Sequence, residues 1–215
     1  MNFIFDPGLV LYLPLYELDG DSFMSRDAYE HSCLVTGAQW RPNGHYFDGV
    51  DDYLNCGNPS SLNIGTSDFT ALAWVNSDSI SSLQRIFNKE QDDTHRWYWG
   101  FVSSKPYYYN KTTVSAYSAT TVNTLSGSTW YCLALVNQRS IALKLYVNGN
   151  DDTSGSPKDG GENIDNTQDL TVGGKPPDGM RYVLSGVIGE VVLYKRALTP
   201  QEILNYYLAT KWRYQ

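Results

Sequence analysis

Two short aromatic runs are the residues best suited to recognition chemistry: Trp97-Tyr98-Trp99, and Tyr107-Tyr108-Tyr109 just beyond Pro106. Neighbouring side chains of an extended strand point to opposite faces, so Trp97 and Trp99 share one face and Tyr98 takes the other. The tyrosine run belongs to the next strand or its loop. Aromatic planes suit the apolar C–H faces of sugar rings, and Asn88, Gln91, Asp92, Asp93, His95, Arg96 and Asn110 lie near enough in sequence to pair with hydroxyls. Two readings of the tryptophans stand side by side: they stack on a ligand, or they fill the space between packed sheets. Neither buries both faces of the strand together with the tyrosine run, so something aromatic here must reach the surface. The expected contacts are Trp97, Trp99, Tyr107 and Tyr109, with His95 and Arg96 as polar neighbours at the rim.

General catalytic patterns fail. Gly65-Thr66-Ser67-Asp68-Phe69 lacks the closing glycine of a nucleophile elbow, and Gly174-Lys175-Pro176 lacks the Ser or Thr and the spacing of a phosphate loop. The chain has 3 histidines, none beside a recognisable partner.

Composition narrows the partners. Of 215 residues, 18% are charged, against about 25% in an ordinary domain, so uncharged polar groups must cover much of the surface. There are 17 Tyr and 6 Trp, residues that join a large apolar area to a hydrogen-bonding group. The net charge is -7 and no Lys/Arg cluster occurs, which argues against a nucleic-acid partner. No apolar run approaches the roughly 18 residues of a membrane-spanning helix. The start, Met1-Asn2-Phe3-Ile4-Phe5-Asp6-Pro7, lacks the basic and apolar regions of a signal peptide. Cys33, Cys56 and Cys132 show no paired spacing, so buried free thiols are expected rather than a disulfide framework or zinc site.

Short apolar segments separated by turn residues read as strands. Residues 10–15 form the first, and 46–54 give two short strands around an acidic turn with Gly49. Segments 69–75 and 131–136 are apolar at nearly every position, as central strands covered on both sides are. Their tryptophans, Trp74 and Trp130, belong to the core. Residues 141–147 alternate with Ile141, Leu143, Leu145 and Val147 on one face, and Asn148-Gly149 predicts a type I′ hairpin. Asn150 opens the longest loop, ending near Asp169, in which Asp151, Asp152 and Asp159 are expected to be solvated. Strands follow from Leu170 and over 185–194. Thr199-Pro200-Gln201-Glu202 is a helix start with a capping box, and the helix, at about 200–212, should dock through Ile203, Leu204, Tyr207, Leu208 and Trp212. The whole chain, 1–215, reads as one all-β domain with one short C-terminal helix.

Seven segments in order resemble the concanavalin A-like jelly roll of the laminin G type, in its bacterial and phage form. They are Leu11-Tyr12-Leu13-Pro14-Leu15; Phe47-Asp48-Gly49-Val50-Asp51-Asp52-Tyr53-Leu54; Phe69-Thr70-Ala71-Leu72-Ala73-Trp74-Val75; Trp130-Tyr131-Cys132-Leu133-Ala134-Leu135-Val136; Leu143-Lys144-Leu145-Tyr146-Val147-Asn148-Gly149; Leu170-Thr171-Val172-Gly173-Gly174; and Leu184-Ser185-Gly186-Val187-Ile188-Gly189-Glu190-Val191-Val192-Leu193-Tyr194-Lys195-Arg196-Ala197-Leu198, running into the helix. The resemblance implies a two-sheet antiparallel sandwich with one curved, concave sheet. It also implies a structural calcium ion near the rim, drawn from Asp27, Asp48, Asp51 and Glu190, since calcium takes six to eight oxygen ligands. Gly189 stands where the family has the first acid of a pair, and the Asp27 loop lacks the family's glycines. Asp48 and Asp51 have an alternative role, capping the turn through its backbone N–H groups. Glycoside hydrolases of this fold need two carboxylates facing one cleft; Glu17-Leu18-Asp19 begins their motif, and Ser22 stands where its last acid belongs.

The expected function is therefore a non-catalytic module that binds a carbohydrate or cell-surface ligand. The alternative is a virion structural protein, a capsid decoration or fibre tip packing against other subunits. Either works at an extracellular or virion surface.

Overall fold

The structure, a computed structural model, describes residues 6–174 and 182–214. Its strands in chain order are β1 (Leu9–Leu13), β2 (Ser22–Met24), β3 (Ser32–Thr36), β4 (Gln39–Arg41), β5 (Gly44–Asp48), β6 (Tyr53–Asn55), β7 (Phe69–Ser77), β8 (Gln84–Glu90), β9 (Arg96–Val102), β10 (Lys105–Lys111), β11 (Ala116–Thr120), β12 (Tyr131–Gln138), β13 (Ala142–Val147), β14 (Asn150–Asp151), β15 (Thr171–Val172) and β16 (Ser185–Tyr194); the helix is α1 (Pro200–Thr210). They form two antiparallel sheets. The first runs β14-β13-β12-β7-β16-β5-β4, with β1 pairing the far half of β16; the second runs β11-β10-β9-β8-β15-β6-β3-β2. The acidic turn after Phe47 is thus a crossover between sheets and not a hairpin.

The continuous apolar strands have a layer on each side. Ala71, Ala73 and Val75 of β7 enter the core between the sheets, while Leu72 and Trp74 join a second core under α1. Leu133 and Leu135 of β12 face inward, and Cys132, Ala134 and Val136 face the helix. Trp130 is only partly buried; it precedes β12 and packs on Tyr214, with ring centroids 4.6 Å apart. The hairpin after β13 forms as expected, with Asn148 and Gly149 at φ 51° and 83°, the two positive values of a type I′ turn.

Thr199 caps α1, accepting from the Glu202 backbone N–H while the Glu202 carboxylate accepts from the Thr199 N–H. The docking face is Ile203 and Tyr206, with Tyr207 and Tyr214 flanking Trp74 and the Thr210 hydroxyl accepting from Trp74 Nε1 at 2.8 Å. Leu208 and Trp212 point outward instead, at 48% and 68% exposure. The α-helix ends at Thr210 and tightens to a 3-10 turn over Lys211–Arg213, so the helical spacing that would carry Trp212 onto the sheet is lost.

All three cysteines are free and buried: Cys33 and Cys56 between the sheets, Cys132 beneath α1. Neighbouring Cys33 and burial push the Cys56 thiol well up, and burial does the same to Cys132. The loop after β14 is tied to the body. Asp159 is 2% exposed and accepts from Asn137 Nδ2 at 2.8 Å and from the Ser140 and Gly161 backbone, and it pairs with Arg139 Nε at 2.7 Å. Its expected solvation is therefore corrected: a buried guanidinium holds it inside. Among the described residues, no helix is long and apolar enough to cross a membrane.

Candidate functional site

Pairing of β9 with β10 sets Tyr98 opposite Tyr109, Trp99 opposite Tyr108 and Trp97 opposite Asn110. Opposed residues share a face, which sorts the aromatic runs into two populations. Trp97, Trp99 and Tyr108 point into the sandwich, fully buried; Trp97 lies against Phe69 (centroids 5.8 Å) and Trp99 stacks on Phe87 (6.3 Å). The expectation that Trp97 and Trp99 contact a ligand is overturned, because both indoles lie fully buried in the core between the sheets. Tyr98, Tyr107 and Tyr109 take the outer face, with centroid separations of 5.3 Å (98 to 109), 6.2 Å (98 to 107) and 6.5 Å (107 to 109). Tyr107 and Tyr109 are half-buried and Tyr98 is their nearly covered base.

A charged brace fixes this strip. The Arg85 guanidinium lies 4.2 Å from the Tyr98 ring centroid and 4.7 Å from that of Tyr182, and it ion-pairs with Glu90 and bonds Asn88. Arg96 reaches Glu90 at 3.3 Å and Asp93 at 2.9 Å and lies 5.4 Å from the Tyr109 ring. Cations over aromatic faces are stabilising, more so when partly desolvated. Burial pushes the Tyr98 hydroxyl up to about 12 and also raises Tyr107, so both stay neutral hydroxyls near pH 7. His95 sits at the β8–β9 hairpin: Asp92 accepts from the Thr94 and His95 backbone, and those bonds, with the Thr94 hydroxyl, hold the Asp92 carboxyl at about 2. Arg96 thus belongs to the strip and His95 to its rim.

Beside the strip the same outer face sinks into a depression of about 240 Å³ lined by Tyr53, Asn55, Asn88, Glu90, Gln168, Asp169 and Thr171. Asn55 Nδ2 donates to Asp169 Oδ2 at 2.8 Å. Lys89, pointing inward, pins the far wall, donating to Asn58 Oδ1 at 2.6 Å and to the Gln168 carbonyl at 2.5 Å; burial lowers its pKa to about 8. Hydroxyls, amides and two carboxylates therefore line a hollow next to aromatic surface. Of these residues the sequence had signalled only Asn88; Arg85, Glu90 and the 168–171 segment come together through β8–β15 pairing, which no local pattern reveals.

The four-residue calcium set does not assemble. Among the described residues the acidic group that comes together is Asp48, Asp51 and Asp52, with ligand oxygens within 4.8 Å of one another. Asp27 accepts from the Tyr12 and Tyr29 backbone N–H groups. Glu190 is buried under α1, accepting from Tyr206 Oη at 2.7 Å and Tyr12 Oη at 3.4 Å, and burial raises its pKa. In the acidic turn Asp48 Oδ1 accepts from Val50 N (2.7 Å) and Asp51 N (3.4 Å), and Asp52 Oδ2 from Asp48 N (2.8 Å). One oxygen each of Asp48 and Asp52 thus caps the turn, as the alternative role of Asp48 has it, while the Asp51 carboxylate accepts no backbone N–H here. A melt in millimolar calcium and in chelator decides the point: the expected result is an unchanged midpoint, whereas a rise in calcium would assign an ion to this turn.

Residues 48–204 match the laminin G-like family described as the concanavalin A-like lectin/glucanases superfamily. No curated protein matches the chain. Among solved structures, the binding domain of Paraclostridial Mosquitocidal Protein 1 is similar over 94% of this chain and 52% of its own, with TM-score 0.71 and 17% identity. The binding domain of Botulinum Neurotoxin DC, solved in complex with SialylT, gives TM-score 0.71 and 14% identity over 94% of this chain and 52% of its own. Domain 4 of AbnA, an extracellular arabinanase from Geobacillus stearothermophilus solved with arabinotriose, gives 0.67 and 18% over 92% and 97%. The chain spans about half the length of the toxin binding domains. At such identities the likeness is one of fold.

Proposed function

Because the chain belongs to the concanavalin A-like lectin/glucanases superfamily, we propose that it is a non-catalytic module that binds a carbohydrate on the outer face of its second sheet. The observation that carries this reading is the strip of Tyr98, Tyr107 and Tyr109 beside a hollow lined by amides and hydroxyls. Sugar rings offer apolar C–H faces to aromatic groups and hydroxyls to amides, and a braced platform loses little conformational freedom on binding. Two structures of similar fold were solved with SialylT and with arabinotriose, and a third, a Botulinum Neurotoxin DC binding domain, with rat synaptotagmin II, which supports the same class of role. Glu90 is engaged by two guanidinium groups, a partner for them rather than a proton donor to a glycosidic bond. On this reading the domain acts outside cells, where glycans are displayed.

A broad glycan array followed by titration of any hit tests the proposal. Tyr109→Ala should weaken binding about tenfold, or ~1.4 kcal/mol, while the melt moves little, because the ring is half-exposed. Binding to no glycan, or equal binding by Tyr109→Ala and the parent, would sink it.

A further inference from the structure

At one side of the sandwich both sheets end on short edge strands, β4 in the first and β2 in the second, and between them the structure leaves a depression of about 290 Å³. It is lined by Asp19, Asp21, Gln39, Trp40 and His45, with Gly20 and Ala38. That volume equals about ten waters at ~30 Å³ each, comparable with one hexose ring and its hydroxyls.

Trp40 and His45 are directly paired across β4 and β5, so their side chains lie on one face. The indole is 40% exposed and is held by its Nε1 donating to the Tyr16 carbonyl at 3.3 Å. His45 is 1% exposed, and its Nδ1 lies 3.1 Å from the Leu15 carbonyl. A carbonyl only accepts, so Nδ1 carries the proton and Nε2 presents a bare lone pair on the other side of the ring. Burial lowers the pKa of this imidazole, which keeps it neutral. Among the described residues Nε2 has no partner, and neither do the Asp21 carboxylate and the Gln39 amide; Asp19 spends one oxygen on the Gly20 N–H at 2.7 Å. An oriented acceptor that lines a depression and has no protein partner is free to take a donor from water or a ligand.

We propose that this edge depression is a second binding site, separate from the outer-face strip, for one neutral sugar residue. The ring lies against Trp40, and its hydroxyls donate to His45 Nε2, Asp19 and Asp21 while Gln39 supplies an amide. Two carboxylates and no cation among the lining residues disfavour acidic sugars. The outer face differs, since Arg85 and Arg96 brace it. The proposal does not depend on the reading of that face.

The test uses the whole chain labelled with ¹⁵N-tryptophan, the Trp40 indole signal being assigned by its loss in Trp40→Phe. Cellotetraose, xylotetraose, mannotetraose and arabinotetraose are titrated separately, with oligogalacturonate as the acidic probe and zinc chloride as the metal probe. A saturable shift of the Trp40 indole with at least one neutral series is expected, with no shift from oligogalacturonate. Asp21→Asn, an exposed position, should weaken that binding about tenfold or more, and Tyr109→Ala should leave it intact. No Trp40 shift with any neutral probe overturns the proposal, as does a shift with zinc alone, which would make this a metal site. A Trp40 shift that survives Asp21→Asn but vanishes with Tyr109→Ala would also overturn it, placing the sugar on the outer face. Failure of the outer-face reading is seen separately, as equal glycan-array binding by Tyr109→Ala and the parent.

Discussion

Trp99→Ala is expected to cost the protein much of its stability, about 3–5 kcal/mol, the usual range for deleting a buried large aromatic ring. Trp99 has no exposed surface and stacks on Phe87 in the main core, and neighbours drawn from a strand network cannot collapse into the space of an indole. Set against a typical total of about 5–15 kcal/mol, the loss should lower the melting midpoint by about 10 °C at roughly 2–4 °C per kcal/mol for a chain of this size. Denaturant unfolding measures it directly. Tyr109→Ala, on the same hairpin but the other face, serves as the comparison and should melt close to the parent. A Trp99→Ala protein with an unchanged melt would show that the indole is not where the core places it.

Asp159→Ala should be comparably damaging, for an electrostatic reason. Its side chain is completely buried, and Arg139, whose side chain is 4% exposed, pairs with it at 2.7 Å. Removing the carboxylate strands a guanidinium in the interior and frees the backbone N–H groups of Ser140 and Gly161. Breaking one half of a buried pair costs about 3–5 kcal/mol, whereas replacing both halves with apolar residues is often nearly neutral. Asp159→Ala and Arg139→Ala should each lower the denaturant midpoint strongly, and the double change Arg139→Met with Asp159→Leu should recover most of the loss. Additive losses would mean that the two residues act separately.

Alternation in Trp97-Tyr98-Trp99 divided the residues between two faces, but no local feature says which face is covered; that follows from strand order, which puts Phe69 and Phe87 against the indoles. The surviving expectation, that aromatic surface must be exposed here, is met by Tyr107 and Tyr109. Asp159 looked solvated because Asp, Gly and Ser surround it in the chain, and its arginine lies on the far side of a loop. Signals that act within a few residues were readable: the capping box at Thr199 and Glu202, the Asn148-Gly149 turn, and the apolar runs of β7 and β12. The jelly roll itself was readable because seven such segments fall in order. The edge site was not, since Asp19, Trp40 and His45 belong to separate segments that meet only when β4 and β5 pair beside the 15–21 connection.

The buried thiols make the protein its own reporter of opening. A thiolate is the reactive form, and the Cys56 and Cys132 thiols are pushed up and enclosed, so the folded chain should be nearly silent toward thiol-reactive dyes. Cys132 lies beneath the helix, whereas Cys33 and Cys56 lie between the sheets. The order in which they take up label therefore separates undocking of the C-terminal helix from parting of the sandwich. For the same reason a cysteine placed at the rim of either proposed site would be the one fast-reacting thiol, ready to carry a probe without removing the native three.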